Sequence, residues 1–380
     1  MPQKATFPSG SELSAAAPAI DRLDVVAYRI PTDAPESDGT FTWDSTTLVL
    51  VEIGAADRRG IGYTYGSPAV ATVIREHLED VVRGCDPLAV GEIWERMVRA
   101  VRNIGRPGIA SHAIAAVDVA LWDLKGRLLG LPLARLIGQV RDSVPVYGSG
   151  GFTSYSEREL REQLAGWVEA GMRRVKMKIG REPARDPARV EAARDAIGPG
   201  VELFVDANGA CDRKRALALA RRLSEHDVTW FEEPVSSDDL DGLRLLRDRA
   251  PEGMEITAGE YGYDLPYFRR MLAAGAVDVL QADATRCAGI TGFLQVGALC
   301  QAYGVPLSAH TAPALHLAAC CALSNVRHIE YFHDHARIER RFFDGFPSLD
   351  DGQLVPDLSV PGLGLIPRRS ELDPYSLPHA

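Results

Sequence analysis

Six cysteines in 380 residues, Cys85, Cys211, Cys287, Cys300, Cys320 and Cys321, form no CxxC pair and follow no regular spacing. That lack of pattern argues against a disulfide framework or a cysteine-bound zinc and fits reduced thiols in the cytoplasm. No apolar run approaches the roughly 20 residues that cross a bilayer. The opening stretch MPQKATFPSGSELSAAAPAI lacks an apolar segment followed by a cleavage site, so residues 1–20 are expected to form a flexible leader rather than a secretory signal. Runs of Lys or Arg with interleaved aromatics are missing too, and a formal net charge of −10 repels phosphate backbones. Nucleic acid and membrane are therefore not expected partners. A small anionic substrate stays open, because a bound cation dominates the field around it whatever the global charge.

What is present divides into two rhythms. The runs RLDVVAYRI, TTLVLVEIG and GIGYTYG read as an antiparallel meander from about Arg22 to Gly66, with a polar loop from Pro31 to Asp44 between the first two. From about Ala69 to Gly138 apolar residues recur at helical spacing. Residues 21–140 are thus expected to be an α+β unit, completed by a Pro- and Gly-rich tail over about 343–380. Between them, over 141–342, eight short runs (VPVYGSG, RRVKMKIG, VELFVDANG, VTWFEEP, MEITAGE, VDVLQADAT, VPLSAH, RHIEYF) alternate with amphipathic helices. Alternation implies parallel pairing, and about 20 to 30 residues per strand–helix unit favours a closed α/β barrel over an open sheet. No dinucleotide glycine fingerprint follows the first of these strands, which agrees.

Active sites of parallel barrels lie at the C-terminal ends of the strands. The polar residues there are Tyr147, Lys176 and Lys178, Asp206 and Asn208, Glu232 and Glu233, Glu260, Asp283, His310 and Glu330. From Lys178 to His310 they recur at intervals of 23 to 28 residues, so they should ring one pocket. Asp206, Glu232 and Glu260 on three successive strands would repel in a dry pocket unless a cation sat between them. Hard oxygen ligands without nearby cysteine select magnesium. Taken singly, each acid could instead cap the helix after its strand. Lys176 and Lys178 share one face of a strand, and their mutual repulsion beside a metal is expected to lower the pKa of Lys178 so that it serves as a base. Asp283, one strand before His310, is placed to orient the imidazole.

Read together, KMKIG, VDANG, WFEEP, ITAGE, QADATRCAGIT and SAH resemble, in order and position, the mandelate racemase-like branch of the enolase superfamily, over roughly residues 22 to 365. The helix AIAAVDVALWDLKGRLLGLPL is similar to the family's last capping-domain helix. The resemblance implies an α+β N-terminal capping domain on a modified TIM barrel, (β/α)7β, with Mg2+ held by Asp206, Glu232 and Glu260. It implies Lys178 and His310 as the two acid/base residues, Lys176 on the substrate carboxylate, Asp283 paired with His310, and a protonated Glu330 donating to the carboxylate as it becomes an enediolate. Tyr147 and Asn208 are expected in the pocket, and Trp43, in the segment PTDAPESDGTFTWD that resembles the family's specificity loop, against the substrate. A homo-oligomer is implied as well. QADATRCAGIT holds no lysine, which departs from the muconate-cycloisomerase type, and KMK departs from the glucarate-dehydratase type.

These residues point to removal of the proton α to a carboxylate in a hydroxy acid. Two bases on opposite faces would racemise or epimerise; with a β-hydroxyl, a protonated His310 would expel water and leave a 2-keto-3-deoxy acid. Dehydration of an acid sugar is the expectation, because the branch this chain resembles contains many such enzymes and the expected pocket is rich in hydrogen-bonding groups; the largely polar loop speaks against a racemase of an aryl or alkyl hydroxy acid. Racemisation of a 2-hydroxy acid, lactone cycloisomerisation, a metal-dependent aldolase and a non-catalytic sugar-acid binding protein are the alternatives. His333, Asp334 and His335, just past Glu330, are read as strand-end or loop residues that either line the pocket or serve structure.

Overall fold

The computed structural model describes residues 18–377, so the expected leader lies, through position 17, outside the described residues. Three antiparallel strands open the fold: β1 (Ile20–Ser37), β2 (Thr42–Ala55) and β3 (Arg58–Tyr65), in the order β1-β2-β3. The expected loop from Pro31 to Asp44 is mostly strand. Pairing continues to Ser37 opposite Thr42, leaving residues 38–41 as the tip of a long hairpin arm. Its polar, Pro-containing sequence misled because this arm runs beyond the sheet, where no apolar alternation is required.

Helix α1 (Val90–Ala100) packs against helix α2 (Ile109–Leu129), which lies on this sheet. Of the 21 residues of α2, 14 are buried, a pattern that needs contacts on two sides. One side meets β3 backbone to backbone. A Cβ at Gly62 would lie 2.2 Å from the Ala116 oxygen, and one at Gly60 2.3 Å from the Leu124 nitrogen, so these positions accept only glycine. On the other side the buried Asp118 accepts from Thr291 N and Oγ1 at the start of a barrel helix.

The barrel strands are β4 (Val144–Gly150), β5 (Arg174–Lys178), β6 (Glu202–Asp206), β7 (Val228–Glu232), β8 (Glu255–Ala258), β9 (Val279–Ala282), β10 (Leu307–Ala309) and β11 (Val326–Phe332). Neighbours pair in parallel and β11 closes on β4, through Glu330 opposite Tyr147. The helices after successive strands are α3 (Glu157–Glu169), α4 (Asp186–Ile197), α5 (Arg213–Ser224), α6 (Leu240–Arg249), α7 (Leu265–Ala273), α8 (Gly289–Tyr303), α9 (Pro313–Cys321) and α10 (His333–Phe342). His333, Asp334 and His335 thus open a helix that follows the last strand directly, not a loop. Tyr147, Phe204, Trp230 and Val279 fill the lumen, with Phe204 and Trp230 stacked at 4.9 Å, so the barrel is packed rather than open. The tail divides between the two units: β12 (Gln353–Val355) pairs with β4, and Ser376 bridges to Tyr28 in the cap sheet.

Candidate active site

Parallel register sets the floor of the site. Lys178 stands opposite Asp206, and Asp206 opposite Glu232, so the last residues of β5, β6 and β7 share one layer. Glu260 lies past the end of β8, brought round by Gly259 at φ 136°, where a Cβ would meet the Gln281 oxygen at 2.1 Å. One carboxylate oxygen from each of Asp206, Glu232 and Glu260 lies within 4.8 Å of the others, and all three side chains are buried. The helix caps are other residues: Asp212, Asp239 and Asp264 accept from the first-turn amides of α5, α6 and α7. The capping alternative for the triad therefore falls.

Three buried carboxylates this close need positive charge, and within the chain two lysines supply it. Lys176, fully buried, donates to Glu232 at 2.7 and 2.8 Å and pairs with Glu330 at 2.8 Å. Lys178 bonds Asp206. Burial alone would depress both ammonium groups, but Glu232 and Glu330 around Lys176, and Asp206 beside Lys178, hold them above the usual lysine range. The expectation of a lowered Lys178 pKa is thus reversed in the metal-free chain: contact with Asp206 outweighs repulsion from Lys176. Glu232, buried and next to Asp206, is pushed up to about 8. Such a site fits a divalent cation by its donor set: hard oxygens only, buried, and short of positive charge.

Glu330 also departs from expectation. It accepts from Ser149 Oγ at 2.5 Å and from the Thr311 amide at 3.1 Å, and it pairs with Lys176. Burial would raise its pKa, but Lys176 above all holds it at about 2, so it is an ionised acceptor here and not a protonated donor.

His310, beyond β10, lies at the far end of the triad from Lys178. Its Nδ1 donates to Asp283 Oδ2 at 2.8 Å, and its Nε2 is 3.2 Å from Glu260. Burial lowers an imidazole, yet Glu260, Glu330 and Asp283 together raise His310 to about 9. Asp283, which burial would raise, is held far below the usual carboxylate range by the same bond. Its other oxygen accepts from the Thr285 amide at 2.7 Å, so the carboxylate is fixed before it meets the imidazole.

Lys178, Asn208, Glu260, Asp283, His310 and Glu330 line one cavity of about 390 Å3, roofed by the hairpin arm with Thr40, Trp43, Ser45, Thr46 and Thr47. Asn208 sits at φ 46° with its Oδ1 buried and unpartnered. Tyr147 is not a pocket residue. It is mid-strand, wholly buried in the lumen, with its ring 5.2 Å beneath the Lys176 ammonium. Two residues on and on the same face, Ser149 is buried too and meets the site through its hydrogen bond to Glu330. Of the three residues just past Glu330, His335 lines the cavity, stacked on Tyr65 at 3.6 Å. Sequence reasoning passed over Arg286, which lines the cavity and donates to the Glu260 carbonyl at 3.1 Å. Arg286 comes three residues after Asp283, outside the strand-end rule. Its charge in an acidic ring was the one signal available.

Two family profiles match the chain: the mandelate racemase/muconate lactonizing enzyme N-terminal domain over residues 22–138, and the enolase C-terminal domain-like family over residues 159–371. The chain belongs to the mandelate racemase/muconate lactonizing enzyme family of the enolase superfamily. It is 35% identical to the 3,6-anhydro-α-L-galactonate cycloisomerase of Streptomyces coelicolor, over 83% of this chain and 88% of that one. With the L-talarate/galactarate dehydratase of Salmonella typhimurium it shares 30% identity over 86% and 85% of the two chains. A structure of that dehydratase with Mg and L-lyxarohydroxamate superposes at a TM-score of 0.87, with 27% identity, over 99% and 96% of the chains. A mandelate racemase/muconate lactonizing enzyme-like protein from Rubrobacter xylanophilus superposes at 0.93, with 55% identity, over 95% and 100%. The protein is therefore an enzyme with Mg2+ as its cofactor, and its eight-stranded barrel under an antiparallel cap is the superfamily fold. No described helix is long and apolar enough to cross a membrane.

Proposed function

We propose that this enzyme removes the proton α to the carboxylate of an acid sugar and expels the β-hydroxyl as water, giving a 2-keto-3-deoxy acid. The observation that carries the reading is the pairing of Lys178 and the His310–Asp283 couple at opposite ends of one carboxylate triad, inside a cavity whose roof is hydroxyl-rich. Asp206, Glu232 and Glu260 would hold Mg2+, which there would draw electrons from the substrate carboxylate and offset the triad's negative charge. With Asp206 turned to the cation, Lys178 would give its proton to solvent and, as a neutral amine, accept the α-proton. Lys176, locked between Glu232 and Glu330, stays charged and faces the carboxylate where negative charge develops. His310, held protonated by Asp283 and its neighbours, delivers a proton to the departing β-hydroxyl. Glu330 orients Lys176 and the Thr311 amide instead of donating a hydrogen bond itself.

Cycloisomerisation is the second reading, supported by the 35% identity to a cycloisomerase of a 3,6-anhydro sugar acid. There the leaving group on the β-carbon is a ring oxygen, and His310 plays the same part. A library of mono- and diacid sugars and their anhydro and lactone forms, incubated with Mg2+, separates the two. Keto-acid formation from open-chain acids supports dehydration, turnover of ring forms alone supports cycloisomerisation, and C2 epimerisation without loss of water refutes both.

A further inference from the structure

Among the described residues, one more group of side chains able to hold a metal stands together outside the active site. Asp33 and Glu36, on the hairpin arm, and His333, the first residue of α10, each place a ligand atom within 4.8 Å of the other two. In a regular strand, residues three apart point to opposite faces. Here the β1–β2 register slips between Pro31, opposite Ser45, and Glu36, opposite Trp43. The irregularity turns both acids toward the barrel, as bulges do when they re-aim side chains.

Glu36 sets the cluster apart from a chance meeting of surface charges. It is wholly buried; Oε2 accepts from Trp43 Nε1 at 2.7 Å, and Oε1 has no hydrogen-bond partner. A buried carboxylate oxygen without a donor is costly and asks for a cation or a proton. The nearest guanidinium, Arg337, is spoken for by Asp334 and by the Pro31 carbonyl, the latter at 2.8 Å. Asp33 meets His333, Oδ2 to Nε2 at 2.8 Å, its one hydrogen-bond partner among the described residues. Three acids, Asp33, Glu36 and Asp334, thus share one arginine and one imidazole. The outer side of the cluster opens to solvent: Asp33 is exposed, and His333 lines an outer groove separate from the catalytic cavity.

We propose that Asp33, Glu36 and His333 form a second divalent-metal site, of the zinc class, which clips the hairpin arm of the cap to the barrel at the start of α10. One imidazole nitrogen with two carboxylates is a donor set for zinc, cobalt or manganese, whereas the all-oxygen triad suits magnesium. The ion would replace the Asp33–His333 hydrogen bond and satisfy Glu36 Oε1. Trp43, bonded to Glu36 and lining the substrate cavity, is fixed through it. The site thereby sets one wall of the pocket without touching the substrate.

The test counts zinc. Full-length enzyme is stripped with chelator, returned to excess Mg2+, equilibrated with Zn2+, dialysed, and analysed for bound zinc by elemental mass spectrometry. Because zinc also competes for the triad, the readout is a difference. Wild type should retain one more zinc per chain than His333→Ala and than Asp33→Ala, and zinc should raise the melting temperature of wild type more than that of either variant. Circular dichroism identical to wild type shows that the variants are folded. The milder Asp33→Asn, expected to lose the same equivalent, serves if an alanine variant is not. Equal zinc counts in wild type and folded variants would overturn the site, whether those counts are zero, one or two. The outcome is independent of the reaction catalysed at the triad.

Discussion

Replacing Asp283 with Asn isolates what the carboxylate does for His310, because the side chain keeps its shape. In the native chain Asp283 accepts from His310 Nδ1 at 2.8 Å, with Thr311 Oγ1 at 3.3 Å, while its other oxygen is pinned by the Thr285 amide. A hydrogen bond to a charged partner is worth about 1.5–3 kcal/mol, and an amide offers only the neutral version. At about 1.4 kcal/mol per decade, the loss makes the protonated ring roughly 10- to 100-fold scarcer at pH values above its titration, and kcat for water expulsion should fall by as much there. The sign of the pH effect follows from His310 at about 9, above the ordinary 6.5. Folding favours the protonated ring, so its stabilising contribution to the metal-free chain is complete below 6.5 and is lost as pH rises through about 9. Asp283→Asn removes one of the groups that raise it, and the upper limit of that window moves to lower pH. Ring-labelled histidine followed by NMR against pH reports His310 directly, and kcat is read from keto-acid release on the acid sugar identified by screening. An Asn variant that leaves both the titration and kcat unchanged would refute the role given to Asp283.

Other expectations rest on separate contacts. Lys176→Met leaves Glu232 and Glu330 buried without their cation and should cost about 3–5 kcal/mol in chemical denaturation at neutral pH; a loss under 1 kcal/mol would mean the pair is not sustained by that charge. Added Mg2+ should stabilise the chelated enzyme by about 2.7 kcal/mol at a hundredfold excess over Kd, measured as a rise in melting temperature that Glu260→Gln diminishes. Gly62→Ala places a methyl 2.2 Å from the Ala116 oxygen, and should destabilise by at least the roughly 1–3 kcal/mol of an overpacked core, with Gly84→Ala, where a Cβ meets nothing within 4 Å but φ is +77°, as the strain-only control.

How far these features were legible depends on what fixed each one. Strand rhythm and strand-end chemistry are local properties, so the eight barrel strands and the convergence of Asp206, Glu232 and Glu260 could be read from spacing. Tyr147 went astray because β4 continues to Gly150, which leaves the tyrosine mid-strand in the packed lumen. The hairpin arm looked like a loop because its residues answer to the barrel mouth instead of to a cap core. The charge states of Lys178 and Glu330 were out of reach, since both depend on which buried opposite charge lies nearest, and that is decided by packing across the barrel. Arg286 and the clustering of Glu36 with His333 depend on contacts between distant segments, which no periodicity records.

Whether an amine and an imidazole act from opposite ends of a magnesium-bound triad is decided by α-proton exchange in deuterated solvent. With the acid sugar found by screening and saturating Mg2+, His310→Asn should still wash deuterium into the α-position while releasing no keto acid, and Lys178→Ala should do neither. Exchange at the wild-type rate by Lys178→Ala, or its loss in His310→Asn alone, would contradict the assignment of the two bases.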